Sequence, residues 1–345
     1  MVQDTIITKA LSHAERQIST DRSRCVRMRF NKSDCSICTA SCKSGAISIN
    51  GGIAVNAGKC TECMLCVSGC PSGCFTAKDD NFPGLLSQLK NVQDSLPFAV
   101  LGCKHARNAE ANVKTCCLGS LSEEQMIALT AHLAKPLFLN LIACAGCRNA
   151  FIVRELKERV QLLGMKLSFD IGGRLLLIEN KAELVFEDVP LDRRGFFQAL
   201  KTMGLTKVAG LIDTSDNELP LSYSAKRLPV KREALNTVVR KLAESRLVAE
   251  IMHAYAFTVK AGPRCADCSA CIGMCPTGAL KIENRPEGRG LQFNSSLCTG
   301  CGLCGEFCPL GAMSISPGFF GRNYFDHASC NADGLAGHDA ASKKI

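Results

Sequence analysis

Cys265-Ala-Asp-Cys268-Ser-Ala-Cys271-Ile-Gly-Met-Cys275-Pro276 and Cys298-Thr-Gly-Cys301-Gly-Leu-Cys304-Gly-Glu-Phe-Cys308-Pro309 are two copies of one pattern, Cys-x2-Cys-x2-Cys-x3-Cys-Pro. A third complete copy is Cys60, Cys63, Cys66 and Cys70-Pro71. A fourth copy is incomplete: it has Cys35, Cys38 and Cys42, but Lys32 stands where the first thiol belongs and Lys43 replaces the proline. Thiols this close together, in a chain with an odd total of 23 cysteines, do not form a disulfide framework. They read as metal ligands in a reducing compartment. Each run leads into the same short continuation: Cys42-Lys-Ser-Gly45-Ala, Cys70-Pro-Ser-Gly73-Cys, Cys275-Pro-Thr-Gly278-Ala and Cys308-Pro-Leu-Gly311-Ala. The pattern predicts a ligand, a turn whose glycine takes positive φ, a small close-packed residue and a short strand. Cys74 occupies the small-residue position and reads as a small buried thiol.

Paired in this way, the runs at residues 257–318 resemble the bacterial two-cluster ferredoxin family. That resemblance implies [4Fe–4S] clusters in which the last thiolate of each run binds the cluster of the other run. It assigns one cluster to Cys265, Cys268, Cys271 and Cys308, and the other to Cys298, Cys301, Cys304 and Cys275. Carried to the first pair, it assigns Cys60, Cys63, Cys66 and Cys42 to one cluster. The other would hold Cys35, Cys38 and Cys70 and lack one thiolate. Cys25, upstream of Cys35, is the natural substitute through a longer loop; a [3Fe–4S] cluster or an unusual ligand is the alternative. Structural zinc also uses Cys-x2-Cys pairs, but it has no use for the third and fourth thiols of each run.

The middle of the chain has a different composition. Phe98-Ala-Val-Leu and Leu137–Ile142 read as buried strands, Ser122-Glu-Glu-Gln as the capped start of a helix, and Asn149–Leu163 as a second, amphipathic helix. Cys103, Cys116, Cys117, Cys144 and Cys147 lie in this α/β segment. The order of these features resembles the delta-subunit domain of methyl-viologen-reducing hydrogenases. That family carries a [2Fe–2S] cluster and couples flavin to iron–sulfur chains. The resemblance implies Cys103, Cys117, Cys144 and Cys147 as ligands of a further [2Fe–2S] cluster, with Cys116 spare. A zinc site, or buried thiols with no metal, are the competing readings.

The fold expected is an α+β multidomain chain in which two ferredoxin-like dicluster modules (20–80 and 257–318) flank a small α/β domain (95–165) and a connector (166–256), followed by a tail (319–345). Within the connector, Arg174–Ile178 and Ala182–Phe186 read as strands, a helix follows Asp192, a polar loop lies at Asp213–Glu218, and one long helix runs from Lys231 to Tyr255.

The formal charge of +9 would suit a nucleic-acid binder. Each four-thiolate centre carries −2 overall, however, so four of them take the +9 down to about +1. The lysine and arginine excess then reads as counter-charge, and no nucleic-acid partner is expected. The first twenty residues carry Asp4, His13, Glu15 and Arg16 without an apolar run, and no stretch reaches membrane-spanning length, so a cytoplasmic protein is expected. No Gly-x-Gly-x-x-Gly follows a strand, and no phosphate loop or Ser–His–Asp set occurs. The expected role is an electron-transfer subunit of an oxidoreductase complex of hydrogenase, formate dehydrogenase or heterodisulfide-reductase-like type. Its partners would be a catalytic redox subunit and an electron donor or acceptor protein. The alternatives are a redox maturation factor for a metalloenzyme, or an enzyme whose middle domain binds a small molecule.

Overall fold

The computed structural model describes residues 17–78, 81–106, 109–188, 223–243, 245–286, 288–321 and 324–330. The helix expected after Asp192, the polar loop at Asp213–Glu218 and the end of the tail lie outside these residues.

In the first module β1 (Ile18–Thr20), β2 (Ile47–Ser48), β3 (Ala54–Val55) and β4 (Phe75–Ala77) form two antiparallel pairs, β1 with β4 and β2 with β3. The cysteine loops lie between them, each followed by a single helical turn: Ile37–Ser41 after Cys35 and Leu65–Gly69 after Cys63. Turns this short suit loops whose side chains point inward at an inorganic core.

The central unit is a parallel sheet of β5 (Ala99–Cys103), β6 (Val113–Thr115), β7 (Leu137–Asn140) and β8 (Leu175–Ile178), in the order β6-β5-β7-β8. Its strands are apolar runs, buried on both faces as parallel strands must be: Ala99, Val100, Leu101, Leu137 and Leu139 are all nearly inaccessible. Helices Phe82–Ser95, Glu123–His132 and Ile152–Lys166 cover it. Ser122 caps the second of these in a full capping box with Gln125. β8 falls in the stretch assigned above to the connector, and its pairing of Leu137 with Leu175 extends the α/β unit at least to Ile178. Ala182–Phe186 is not a strand: Lys181–Glu183 is a 3-10 turn and coil follows.

The long helix expected from Lys231 to Tyr255 is two helices, Val230–Leu242 and Arg246–Tyr255. Ser245 starts the second by accepting from the Val248 N–H at 3.3 Å, which interrupts an otherwise continuous apolar stripe. The stripe (Leu235, Val238, Val239, Val248, Ile251) packs into the same core as the central sheet, so these helices are part of the α/β body.

The second module repeats the first. β9 (Phe257–Ala261) pairs with β12 (Met313–Pro317), and β10 (Leu280–Arg285) forms a hairpin with β11 (Gly288–Phe293). The segment after Pro317 packs onto the second module and the helices at its start. Tyr324 is buried, its hydroxyl donating to Asn236 Oδ1 at 2.9 Å, and β13 (Ala328–Ser329) adds to β11.

The two modules meet face to face. Arg29 Nη1 donates to the Gly273 and Met274 carbonyls at 3.2 and 3.3 Å, and Phe30 meets Phe307 edge-on at 5.2 Å. Lys226 Nζ reaches the Cys275 carbonyl at 2.7 Å, and Arg24 Nη2 the Arg227 carbonyl at 3.0 Å, so residues 223–229 are clamped between the modules.

Candidate metal centres

In the three complete runs, the residues on either side of the second cysteine adopt the left-handed conformation. Glu62 and Met64 have φ of 55° and 64°, Asp267 and Ser269 of 47° and 64°, and Gly300 and Gly302 of 69° and 78°. For a residue with a side chain this costs on the order of 1 kcal/mol, and it persists because the loop must wrap its N–H groups around a centre. Asp34 and Ser36, at the same positions of the incomplete run, do not share it. That loop follows a different path, and a ligand from outside the run suits it.

The four glycines after the runs, Gly45, Gly73, Gly278 and Gly311, all have positive φ. Three of their turns aim a backbone N–H back at the last sulfur: Ala46 N to Cys42 Sγ at 3.2 Å, Cys74 N to Cys70 Sγ at 3.3 Å and Ala312 N to Cys308 Sγ at 3.3 Å. In three repeats a hydroxyl also touches that sulfur, from Ser44, Ser72 and Thr277, at 3.5–3.6 Å. The fourth repeat has Leu310 there, 41% exposed. Such N–H and O–H groups stabilise a thiolate and tune what it binds.

The thiols fall into sets. In site 1, burial and then the neighbouring Cys70, Cys25 and Cys35 push the Cys38 thiol up to about 11. The structure thus groups Cys25, Cys35, Cys38 and Cys70. In site 2, Cys66 is raised by burial and by Cys63, Cys60 and Cys42. In site 3, burial together with Cys275 and Cys304 takes Cys298 to about 12, and Cys301 rises for the same reasons. In site 4, burial and then Cys304, Cys265 and Cys268 raise Cys271 to about 12, and Cys308 completes the ring of a small cavity lined by Cys265, Cys268 and Cys271. Around the sheet, Cys103 and Cys117 are within hydrogen-bonding reach, which lowers Cys103 to about 6 and raises Cys117; Cys144 lies near Cys103 and Cys147. Among the described residues no three His, Cys, Asp or Glu side chains close tightly enough to hold a lone ion. A zinc ion with Zn–S of about 2.3 Å needs such closeness, whereas an iron–sulfur cube, being wider, does not.

Three features were not visible in the sequence. Cys74 is in hydrogen-bonding reach of Cys25, which holds the Cys25 thiol down at about 6. Two buried guanidiniums face site 3: Arg29, near Cys275 and Cys301, and Arg232, near Cys298. Arg232 is 3% exposed; Nη2 donates to the Tyr255 carbonyl at 2.7 Å, while Nε and Nη1 have no hydrogen-bond acceptor among the described residues. Finally, a cavity of about 520 Å³ opens at the carboxyl ends of β5 and β7, lined by His105, Glu110, Asn140, Ile142 and Lys181, beside Cys103 and Cys144.

The sites adjoin one another. Cys117 lies near Cys63, the Cβ of an alanine at Gly119 would stand 2.2 Å from the Cys63 carbonyl oxygen, and Asn149 Nδ2 donates to Thr61 O at 2.8 Å. His105 and Glu62 pair across the same junction at 3.5 Å. Cys66 of site 2 lies near Cys38 of site 1. Arg29, whose N–H donates to the Cys25 carbonyl at 3.0 Å, extends its guanidinium to Cys275 and Cys301, and Glu306 of the last run lies near Cys35, so site 1 meets site 3; Cys304 lies near Cys271 and Cys308, joining site 3 to site 4.

Residues 264–312 match the 4Fe-4S dicluster domain family. No curated protein matches the chain. The matched segment contains all eight cysteines of sites 3 and 4. It supports a ferredoxin-like domain with at least one [4Fe–4S] cluster and an iron–sulfur electron-transfer role for this chain.

Proposed function

We propose that this protein is an electron-transfer subunit that carries single electrons through a row of iron–sulfur centres within a cytoplasmic oxidoreductase complex of hydrogenase, formate dehydrogenase or heterodisulfide-reductase-like type. The observation that carries this reading is the succession of adjoining thiol sets: central set, site 2, site 1, site 3, site 4. A row of this kind serves to move charge across a protein in single-electron steps. Sites 1 to 4 would each hold a [4Fe–4S] cluster, and Cys103, Cys117, Cys144 and Cys147 a [2Fe–2S] cluster. Bound there, such clusters supply one-electron redox chemistry at potentials set by charge, hydrogen bonding and exposure. The chain's own part is to hold the thiolates, donate N–H and O–H groups to the sulfurs and keep neighbouring sites close. Among the described residues no helix is long and apolar enough to cross a membrane. The partners would be a catalytic redox subunit at one end and a donor or acceptor protein at the other.

The cavity beside Cys103 and Cys144 favours a second reading, in which a small molecule exchanges electrons with the central site. It lies at the carboxyl ends of parallel strands, where α/β sheets bind ligands.

Anaerobic iron and sulfide analysis with EPR tests the first reading. It expects about 18 iron atoms per chain, or about 16 if the central site is empty. Cys25→Ser should convert site 1 to a three-iron signal, while Cys74→Ser should keep its four irons. A chain with wild-type iron content after Cys25→Ser would remove Cys25 from site 1.

A further inference from the structure

Cys268 is the one exposed cysteine among the described residues, and it belongs to the last site of the row. Its surroundings differ from those of the other sites in two ways. The hydroxyl that the other repeats place against the last sulfur is replaced by Leu310, which with Pro309 and Ala266 gives an exposed apolar edge to the cavity ringed by Cys265, Cys268, Cys271 and Cys308, whose lining also includes the half-buried Asp267 and Ser269. Two exposed arginines are pinned to the loops on either side of that rim. Arg289 Nη2 donates to Ser269 Oγ at 2.9 Å, beside Cys268, and Arg264 Nη2 donates to the Gly311 carbonyl at 3.1 Å, just beyond Cys308.

An apolar centre a few ångströms from a redox site, flanked by fixed positive charges, is the complement of a small acidic protein that docks by charge and releases easily. Leucine and proline at the contact exclude water, and the arginines steer the encounter and set its orientation. A nucleic acid would ask for a longer basic stripe than two guanidiniums around an apolar patch. The geometry points to the face formed by Arg264, Arg289, Leu310 and Cys268 as the docking site of an acidic one-electron carrier protein. In each encounter the reduced carrier loses one electron and this chain gains one; no atom moves between them. The assignment rests on the electron-transfer reading above and adds to it the entry face and the class of carrier.

The test uses the full-length, cluster-loaded protein and stopped-flow reduction by two probes, a reduced acidic ferredoxin and methyl viologen radical. With the ferredoxin, the second-order rate should fall steeply as salt is raised. The Arg264→Glu/Arg289→Glu double variant should be about tenfold slower at low salt and lose that salt dependence. The Arg264→Lys/Arg289→Lys variant should keep both rate and salt dependence, and Leu310→Asp should slow the ferredoxin reaction. Viologen radical, a small cation, should reduce all of these proteins at least as fast as the wild type, which shows that the clusters are intact. A charge-reversed protein that takes electrons from the ferredoxin at the wild-type rate and salt slope would overturn the docking face and leave the electron-transfer reading standing. A loaded wild-type protein that neither probe reduces would overturn both. If charge reversal proves unstable, a wild-type ferredoxin rate that does not change with salt overturns the docking face by itself.

Discussion

A single buried charge decides much of what an iron–sulfur site does, because reduction adds negative charge in a poorly screened interior. Arg232 is such a charge. It is almost fully buried beside Cys298, with only part of its guanidinium hydrogen-bonded to the Tyr255 carbonyl. Arg29, also buried and near Cys275 and Cys301, adds a second. Asp267, near Cys265, puts a negative charge at site 4 instead. Site 3 should therefore be more readily reduced than site 4, and electrons entering at Cys268 would run downhill to site 3. Replacing Arg232 by Met should keep the iron content and lower the reduction potential of site 3 by roughly tens of millivolts, while Lys should restore most of it. Redox-titrated EPR reads the result; an unchanged potential in the methionine variant would remove Arg232 from the tuning of this site. Neither arginine was readable in the sequence as a neighbour of site 3, because each acts through contacts between segments far apart in the chain, whereas Asp267 stands inside the run it acts on. The thiols were readable, since a Cys-x2-Cys-x2-Cys spacing fixes its loop locally. Cys25 could be singled out by counting ligands, but its contact with Cys74 could not.

At the scale of a module, the cysteine loops hold several of their thiols in surroundings hostile to the charged form. Burial first, and neighbouring thiols second, put Cys304 at about 11, Cys271 at about 12 and Cys298 at about 12. These values lie above the roughly 8.5 of an unfolded thiol. The stabilising effect is thus complete below pH about 8.5 and is lost as pH rises toward the folded values, because the unfolded chain ionises first. The metal-free protein should lose stability between about pH 9 and pH 12, on the order of a few kcal/mol in all, measured as a falling unfolding midpoint. The loaded protein, whose thiolates are bound to iron, should not show this loss; a metal-free midpoint that is flat across that range would contradict the burial of these thiols. Leu175–Ile178 reads as a strand in isolation, but nothing in its sequence says that β7 is its neighbour. Ser245 reads as an ordinary polar residue within an unbroken apolar stripe, and only the competing hydrogen bond to Val248 ends one helix and starts the next.

Across the whole molecule, the spacing between sites matters more than any one of them, since electron hopping falls steeply with distance. One junction without slack is at Gly119, whose backbone lies against the Cys63 carbonyl with no room for a methyl group. Arg159 ties this junction by donating to the Gly119 carbonyl at 3.2 Å and to Ser68 Oγ at 3.0 Å. Gly119→Ala should push the central site away from site 2. It should slow exchange between them while both keep their iron, which time-resolved reduction followed by separate EPR signals would show; an unchanged rate would mean that this junction is not part of the route. The two pairs of repeats are legible in the cysteine spacing, but their order in space is not, because it is set by Arg29 gripping carbonyls of the second module and by Arg24 and Lys226 holding residues 223–229 between the two.

The adjacency of the sites is the central claim, and magnetic interaction measures it directly. EPR of the fully reduced, cluster-loaded chain should show broadened, split signals from spins coupled to their neighbours, and breaking site 1 with Cys38→Ser should sharpen the signals of sites 2 and 3 next to it. Sharp, independent signals in the reduced wild-type protein, unchanged by loss of site 1, would contradict a continuous row.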